Sequence, residues 1–259
     1  MLEHVLNLGN QLKTDLDTSE GFTSVDYEKI VIVGMGGSGV AGDVLKLILN
    51  QYTNIDVEVR KTYNLTKTQI AARPFCLFIS YSGNTEETIS AAKNAIDENL
   101  EWAAISSGGE LLDLATKHNK KFVKVPDGLQ PRAAFGLMTK AVVNYLPNQT
   151  KKIFINACEE AGNYLNNLTE DASNEVFEIS KDIANQIGSK TSVIYAGSDL
   201  TYLVAQRWKT QINENSKSKA YVGFMPEVHH NEILSWEADQ EGSNCLLYTS
   251  DAADEQQRV

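Results

Sequence analysis

The chain has 259 residues, 42% of them hydrophobic and 22% charged, with a net charge of −11. Those proportions suit a chain that buries a core, as one large domain or two small ones, and argue against bulk disorder. The acidity disfavours binding to nucleic-acid backbones, but a small anion held by a few local donors stays compatible with it.

Cys76, Cys158 and Cys245 form no C-x-x-C pair and no metal-ligand spacing. A sparse, odd set suits a reducing compartment. The N-terminus has neither a basic n-region nor an apolar h-region. No run approaches the ~20 apolar residues of a membrane span. A soluble cytoplasmic protein, without a membrane or nucleic-acid partner, is the expectation.

In chain order, Leu2, Val5, Leu6, Leu8, Leu12 and Leu16 recur at helical spacing and predict a helix from Leu2 to Asp17. Lys29–Met35 is a short β-branched run ending in glycines, which reads as a buried parallel strand. A helix over Val40–Asn50 follows, then a strand at Ile55–Arg60. Phe75–Ser82 reads as a third strand and Thr85–Asn99 as a helix with apolar Ile89, Ala92 and Ile96. Trp102–Ser106, Leu111–His118, Lys121–Pro126 and Ala133–Leu146 continue the alternation as strand, helix, strand, helix. This predicts a doubly wound α/β domain with a parallel sheet over about Val25–Leu146.

A polar helical stretch covers Thr150–Ile187. The plan then restarts with a strand at Thr191–Ser198, a helix at Leu200–Asn213 and a strand at Lys219–Met225. The expected organisation is a first domain over residues 1–150, linking helices and a partial second domain over 151–244, and a separate tail over 245–259.

The first chemically suggestive loop is Gly34-Met35-Gly36-Gly37-Ser38-Gly39. It satisfies G-x-G-x-x-G, so a dinucleotide site is one reading, with Glu58 at the end of the next strand as its ribose-binding acid. The physical content is more general. Glycines let backbone N–H groups approach an anion at a helix N-terminus, and Ser38 adds a hydroxyl. A tight strand-to-helix turn without a ligand is the plain alternative.

The second loop, Ser80-Tyr81-Ser82-Gly83-Asn84-Thr85, follows the third strand. Its hydroxyls and helix-start amides form a donor-rich cradle suited to a phosphate. The plain alternative is helix capping, since Asn84 with Glu87 fits a capping box. Capping leaves Ser80 and Ser82 unexplained. A dinucleotide fold has no need of this second loop, whereas a sugar phosphate at the carboxyl ends of the strands would use both.

VGMGGSGVAGD and SYSGNTEET together resemble the sugar isomerase (SIS) domain. LQPRAAFG (Leu129–Gly136), QINENSK (Gln211–Lys217) and MPEVHHNEI (Met225–Ile233) narrow the resemblance to the bifunctional phosphoglucose/phosphomannose isomerases, from residue 1 to about 244. It implies two SIS domains sharing one site and sugar phosphates as ligands. Gly36, Gly37, Ser38, Ser80, Ser82 and Thr85 are the expected phosphate-binding residues.

Aldose–ketose isomerisation moves a proton between C2 and C1 through an enediolate. It needs a base, a ring-opening acid and positive charge at the developing oxyanion. Glu214 lies in the polar cluster Asn213-Glu214-Asn215 at a predicted helix end, and the resemblance makes it the base. A carboxylate at its reference pKa of about 4.3 is weakly basic, so partial burial is expected to raise it. The resemblance makes His230 the ring-opening group, donated by the neighbouring subunit of a homodimer, with His229 in support. No third ligand accompanies the His-His pair, which argues against a metal.

Arg132, after Pro131, reads either as a solvated surface residue or, as the resemblance implies, as the guanidinium that stabilises the enediolate. No metal or cofactor is required by proton transfer. The competing expectations are a non-catalytic SIS sensor and an NAD-dependent oxidoreductase.

Cys245–Val259 departs from the family pattern, and CLLYTSDAADE reads like a translated sequencing adapter. The expectation is that this tail is foreign or frayed. The resemblance also implies a further catalytic lysine beyond this region, and the chain has no lysine after Lys219. The chain as written is therefore expected to be a weak or inactive isomerase.

Overall fold

The structure is a computed structural model. It describes residues 2–19, 27–170, 175–232 and 234–235, together with the backbone of 245–249. Ile233 of the histidine segment and residues 236–244 and 250–259 lie outside the described residues. The chain divides into two units, Met1–Asp171 and Ala172–Val259. The division falls later than the boundary expected at residue 150, because the helix after that point packs on the N-terminal helices.

Unit 1 begins with α1 (Leu2–Leu6) and α2 (Leu8–Lys13), shorter than the single helix expected to Asp17. Asp17–Thr18 instead forms a short strand, β1. The alternating part comprises β2 (Lys29–Gly34), α3 (Gly36–Tyr52), β3 (Asp56–Arg60), α4 (Lys67–Ala71), β4 (Phe75–Ile79), α5 (Glu86–Asp97), β5 (Trp102–Ser106), α6 (Gly109–Lys117) and β6 (Lys121–Lys124). A 3₁₀ turn at Pro131–Ala133 leads into α7 (Phe135–Val143), and α8 (Asn148–Glu170) closes the unit.

Among the described residues the sheet has the order β1-β6-β5-β4-β2-β3. Strands β2 to β6 are parallel, and β1 joins β6 antiparallel. Side chains alternate along each strand, so the β-branched run of β2 feeds two cores at once. Ile30 and Ile32 join Leu77, Ile79 and Ile105 under α2, α3 and α7. Val31 and Val33 join Phe78, Trp102 and Ala104 under α5 and α6. Both faces are buried, which is why these strands read as continuous apolar runs.

The chain passes from β2 to β3 on one side and then crosses to β4 on the other. That reversal is the switch point of a doubly wound sheet, where ligands bind at the strands' carboxyl ends. Gly34 is in register with Ile79, so β2 and β4 end level and deliver their loops side by side.

Unit 2 contains α9 (Glu175–Ile187), β7 (Thr191–Ala196), α10 (Asp199–Gln211), β8 (Ala220–Phe224), α11 (Glu227–Asn231) and β9 (Cys245–Thr249). The polar helical stretch expected to Ile187 comprises two helices, α8 and α9. The order β8-β7-β9 is parallel throughout. Ile194, Ala196 and Ala205 form a small core with Tyr202, Trp208 and Phe224 packed against it. Cys245–Thr249, expected to open a foreign or frayed tail, has strand backbone paired along β7 from Thr191 to Tyr195. Among the described residues, no helix is long and apolar enough to cross a membrane.

Candidate active site

The glycine loop is more helical than its sequence suggests. α3 starts at Gly36 rather than Val40, so Gly36, Gly37 and Ser38 form its first turn and point their N–H groups toward the switch point. Gly36 is exposed with φ at +51°, where a side chain would be strained. Ser38 is buried, and its Oγ accepts a hydrogen bond from the Tyr81 N–H at 3.0 Å. Ser38 therefore ties the two loops together.

Ser38→Ala would leave that buried N–H without its acceptor. We expect a loss of about 1–3 kcal/mol, read as a lower urea midpoint at unchanged m-value. A midpoint equal to that of the parent chain would show that the hydrogen bond is not needed.

The second loop is held by its own hydroxyls. Ser80, fully buried, has its Oγ 2.8 Å from Thr85 Oγ1, and the same Oγ accepts from the Gly83 N–H at 3.1 Å. Ser82 Oγ is exposed and accepts from the Asn84 N–H at 3.2 Å. The Asn84–Glu87 capping box does not form. Thr85 is the N-cap residue of α5, and Asn84 Oδ1 instead accepts from the Glu110 N–H at 3.0 Å, at the start of α6. Sequence spacing could not see that competing donor, because it comes from the next crossover.

A third loop, after β5, supports the second, and the sequence reading missed it. Ser107 Oγ donates to Tyr81 O at 2.7 Å, and the Leu111 N–H donates to Gly83 O at 2.9 Å. The signal available was the run Ser106-Ser107-Gly108-Gly109 at a strand end.

Arg132 sits in the 3₁₀ turn at the same end of the sheet and is partly buried. A Cβ on Gly37 would lie 3.0 Å from Pro131 O and 3.8 Å from Arg132 Cα. The close approach of the arginine turn to the glycine turn thus depends on the missing side chain. Gly36, Gly37, Ser38, Ser80, Ser82, Thr85 and the Arg132 backbone converge on one face of unit 1.

Glu58 is not at the end of its strand. β3 runs on to Arg60, opposite Val33, and Glu58 faces Val31 in mid-strand, with its Oε1 3.7 Å from Arg60 Nη1. The position a dinucleotide site would give to an acid is held by a guanidinium, so the ribose-acid expectation is corrected.

Glu214 and His230 belong to unit 2. Glu214 is half-buried in a one-turn π-helix, Ile212–Ser216, that follows α10 and ends at Lys217 with φ at +55°. Such wide turns are rare and concentrate at functional sites. Asn213 Oδ1 accepts from the Ala220 N–H at 3.0 Å and pins the turn to β8. Burial lowers the pKa of Arg207 on α10, and the Glu214 carboxylate acts in the opposite direction by attraction. Arg207, on the helix that leads into the π turn, is a cation missed in the sequence.

His229 and His230 are exposed on α11, which anchors through Val228, 2% exposed. Just beyond, Tyr195 Oη donates to Glu232 Oε2 at 3.0 Å and ties the histidine segment to β7.

A doubly wound sheet with a glycine turn and a hydroxyl-rich turn paired at its switch point defines unit 1 as an SIS domain. The SIS domain family matches residues 25–122, and the bacterial phospho-glucose isomerase C-terminal SIS domain matches residues 178–259. A bifunctional phosphoglucose/phosphomannose isomerase of Caldicellulosiruptor bescii is 34% identical, over 92% of this chain and 72% of its own length. One from Aquifex aeolicus is 38% identical, over 86% of this chain and 66% of its own. The chain belongs to the bifunctional phosphoglucose/phosphomannose isomerase family.

A D-glucosamine-6-phosphate 4-epimerase of Sulfolobus acidocaldarius is also 33% identical, over 88% of this chain and 71% of its own length. Among solved structures, the C-terminal domain of glucosamine-fructose-6-phosphate aminotransferase from Francisella tularensis superposes with a TM-score of 0.63 at 15% identity. It covers 98% of this chain and 74% of that one, a likeness of fold.

Proposed function

We propose that this chain is a sugar-phosphate aldose–ketose isomerase that interconverts glucose 6-phosphate or mannose 6-phosphate with fructose 6-phosphate. The observation that carries the reading is the pairing of the two loops at the switch point, in a chain 34–38% identical to relatives named for this activity. The helix-start amides of α3 and the hydroxyls of Ser82 and Thr85 suit a dianionic phosphate.

Glu214 is assigned the proton transfer. Its carboxylate takes the C2 proton of the open-chain aldose, leaving an enediolate, and returns a proton to C1. Arg132 is assigned the developing negative charge on the enediolate oxygens, where a fixed cation acts most strongly in the transition state. His230 is assigned proton donation to the ring oxygen. Its exposure on a short helix supports delivery to the neighbouring subunit of a homodimer.

Ligand-induced thermal stabilisation is the first test. At a hundredfold excess over its Kd, fructose 6-phosphate is expected to stabilise the chain by about 2.7 kcal/mol, with no shift from NAD. A shift from NAD alone would replace this reading with the oxidoreductase one. Because one relative is named an epimerase, glucosamine 6-phosphate is assayed in parallel. Turnover of that substrate at C4, without aldose–ketose exchange, would move the chain to the second reaction.

A further inference from the structure

Two side chains outside the proposed chemistry, Tyr81 and Gln11, meet at the segment that carries Arg132. Tyr81 lies in the phosphate loop and is 4% exposed. Its Oη donates to Pro126 O at 2.9 Å and accepts from the Leu129 N–H at 3.0 Å. Its own N–H is held by Ser38 and its own carbonyl by Ser107. One residue therefore joins the glycine turn, the hydroxyl loop and the approach to Arg132. Burial raises the phenol's pKa. The Leu129 donor opposes that shift, and the Asp127 charge adds to it, so the hydroxyl keeps the proton it donates.

Gln11 closes the segment from the other side. It is 2% exposed on α2, and its side-chain amide bonds to backbone near Arg132 at both ends. Nε2 donates to Ala133 O at 2.9 Å, and Oε1 accepts from Gly136 N at 3.1 Å and Leu137 N at 3.3 Å. A buried amide with both ends paired is a rigid link, because breaking either end strands a polar group away from water. The 3₁₀ turn is thus bracketed at residues 126 and 129 by Tyr81 and at residues 133, 136 and 137 by Gln11.

Resting on the isomerase reading above, we propose that Tyr81 and Gln11 are positioning residues that hold Arg132 for the enediolate and contribute little to phosphate binding itself. An arginine on a loop loses much of its electrostatic advantage if it must be ordered during the reaction. The clamp removes that freedom beforehand.

The test separates the two ends of the ligand. The probes are inorganic phosphate and 5-phospho-D-arabinonate, an aldonate phosphate whose carboxylate copies the enediolate oxygens. Each is titrated calorimetrically into the chain and into Tyr81→Phe, Gln11→Glu and Arg132→Ala. Tyr81→Phe deletes one hydroxyl. Gln11→Glu keeps the shape and the acceptor but removes the donor to Ala133 O.

Both variants are expected to weaken the aldonate phosphate about fivefold or more, with inorganic phosphate held within twofold. Unchanged aldonate affinity, or equal weakening of both ligands, would overturn the proposal. If the parent chain fails to bind the aldonate phosphate, or Arg132→Ala binds it equally well, the isomerase reading itself falls. A measurement without substitution accompanies these. Amide hydrogen exchange at Leu129, Gly136 and Leu137 is expected to be protected in the parent chain, and exchange at the unprotected rate would overturn the clamp.

Discussion

Glu214→Gln is expected to slow isomerisation by about 10²–10⁴-fold, the range for losing a positioned general base. Fructose 6-phosphate affinity should stay within about twofold. The amide keeps the size of the side chain and one acceptor oxygen but cannot accept the C2 proton. The assay follows solvent deuterium entering fructose 6-phosphate at C1, which reads proton transfer even where net turnover is slow. It is run on the chain and on the chain extended by the C-terminal segment of a relative. Unchanged exchange in the variant would remove Glu214 from the role of base. The surroundings support the choice of residue: the π turn widens the backbone at this position, a geometry that concentrates at functional sites.

Gly83→Ala should do the most damage to the proposed phosphate site without touching a charge. Gly83 has φ at +71°, and a Cβ there would run into the Gly108 carbonyl oxygen, a backbone atom with no freedom to swing aside. Strain in the left-handed region and the steric overlap act together. A cost of about 3–5 kcal/mol is expected, at the upper end for single substitutions. The readouts are a melting temperature lower by about 10 °C or more and loss of the thermal shift from fructose 6-phosphate. A variant that melts with the parent and keeps the shift would show that the loops part without penalty. Ser82→Ala is the contrasting control, because Ser82 is exposed and its loss should leave the melting temperature almost unchanged.

The strands of unit 1 were legible because a sheet buried on both faces needs uninterrupted apolar runs. Lys29–Gly34, Phe75–Ile79 and Trp102–Ser106 are such runs. Helix starts were less legible. The glycines at 36, 37 and 39 suggest a loop, yet they occupy the first turn of α3, where tertiary contacts outweigh intrinsic propensity. β1 and α4 went unseen because each is too short to show a period. β9 went unseen for another reason. An open edge at β7 accepts any short apolar segment with free backbone groups, and nothing local to Cys245–Thr249 announces that edge.

The candidate site divides along the same line. Its residue types were readable. Glycines and hydroxyls after strands, an arginine in the turn after a proline, and a carboxylate and histidine in polar segments each carry their chemistry in their own atoms.

Their arrangement was not readable. That Ser38 serves the Tyr81 N–H, that Asn84 holds α6 and that Glu58 lies mid-strand were set by strand register and by neighbouring crossovers. Gln11 and Arg132 show the difference most plainly. They are far apart in the chain, and only the packing of α2 against α7 brings the amide to the arginine turn. The composition and charge that first suited a buried core and a small anionic ligand were properties of the sequence by itself. The level ends of β2 and β4, the bracket around Arg132 and the strand at Cys245–Thr249 came from tertiary structure, because hydrogen-bond partners distant in sequence are chosen only once the sheet has closed.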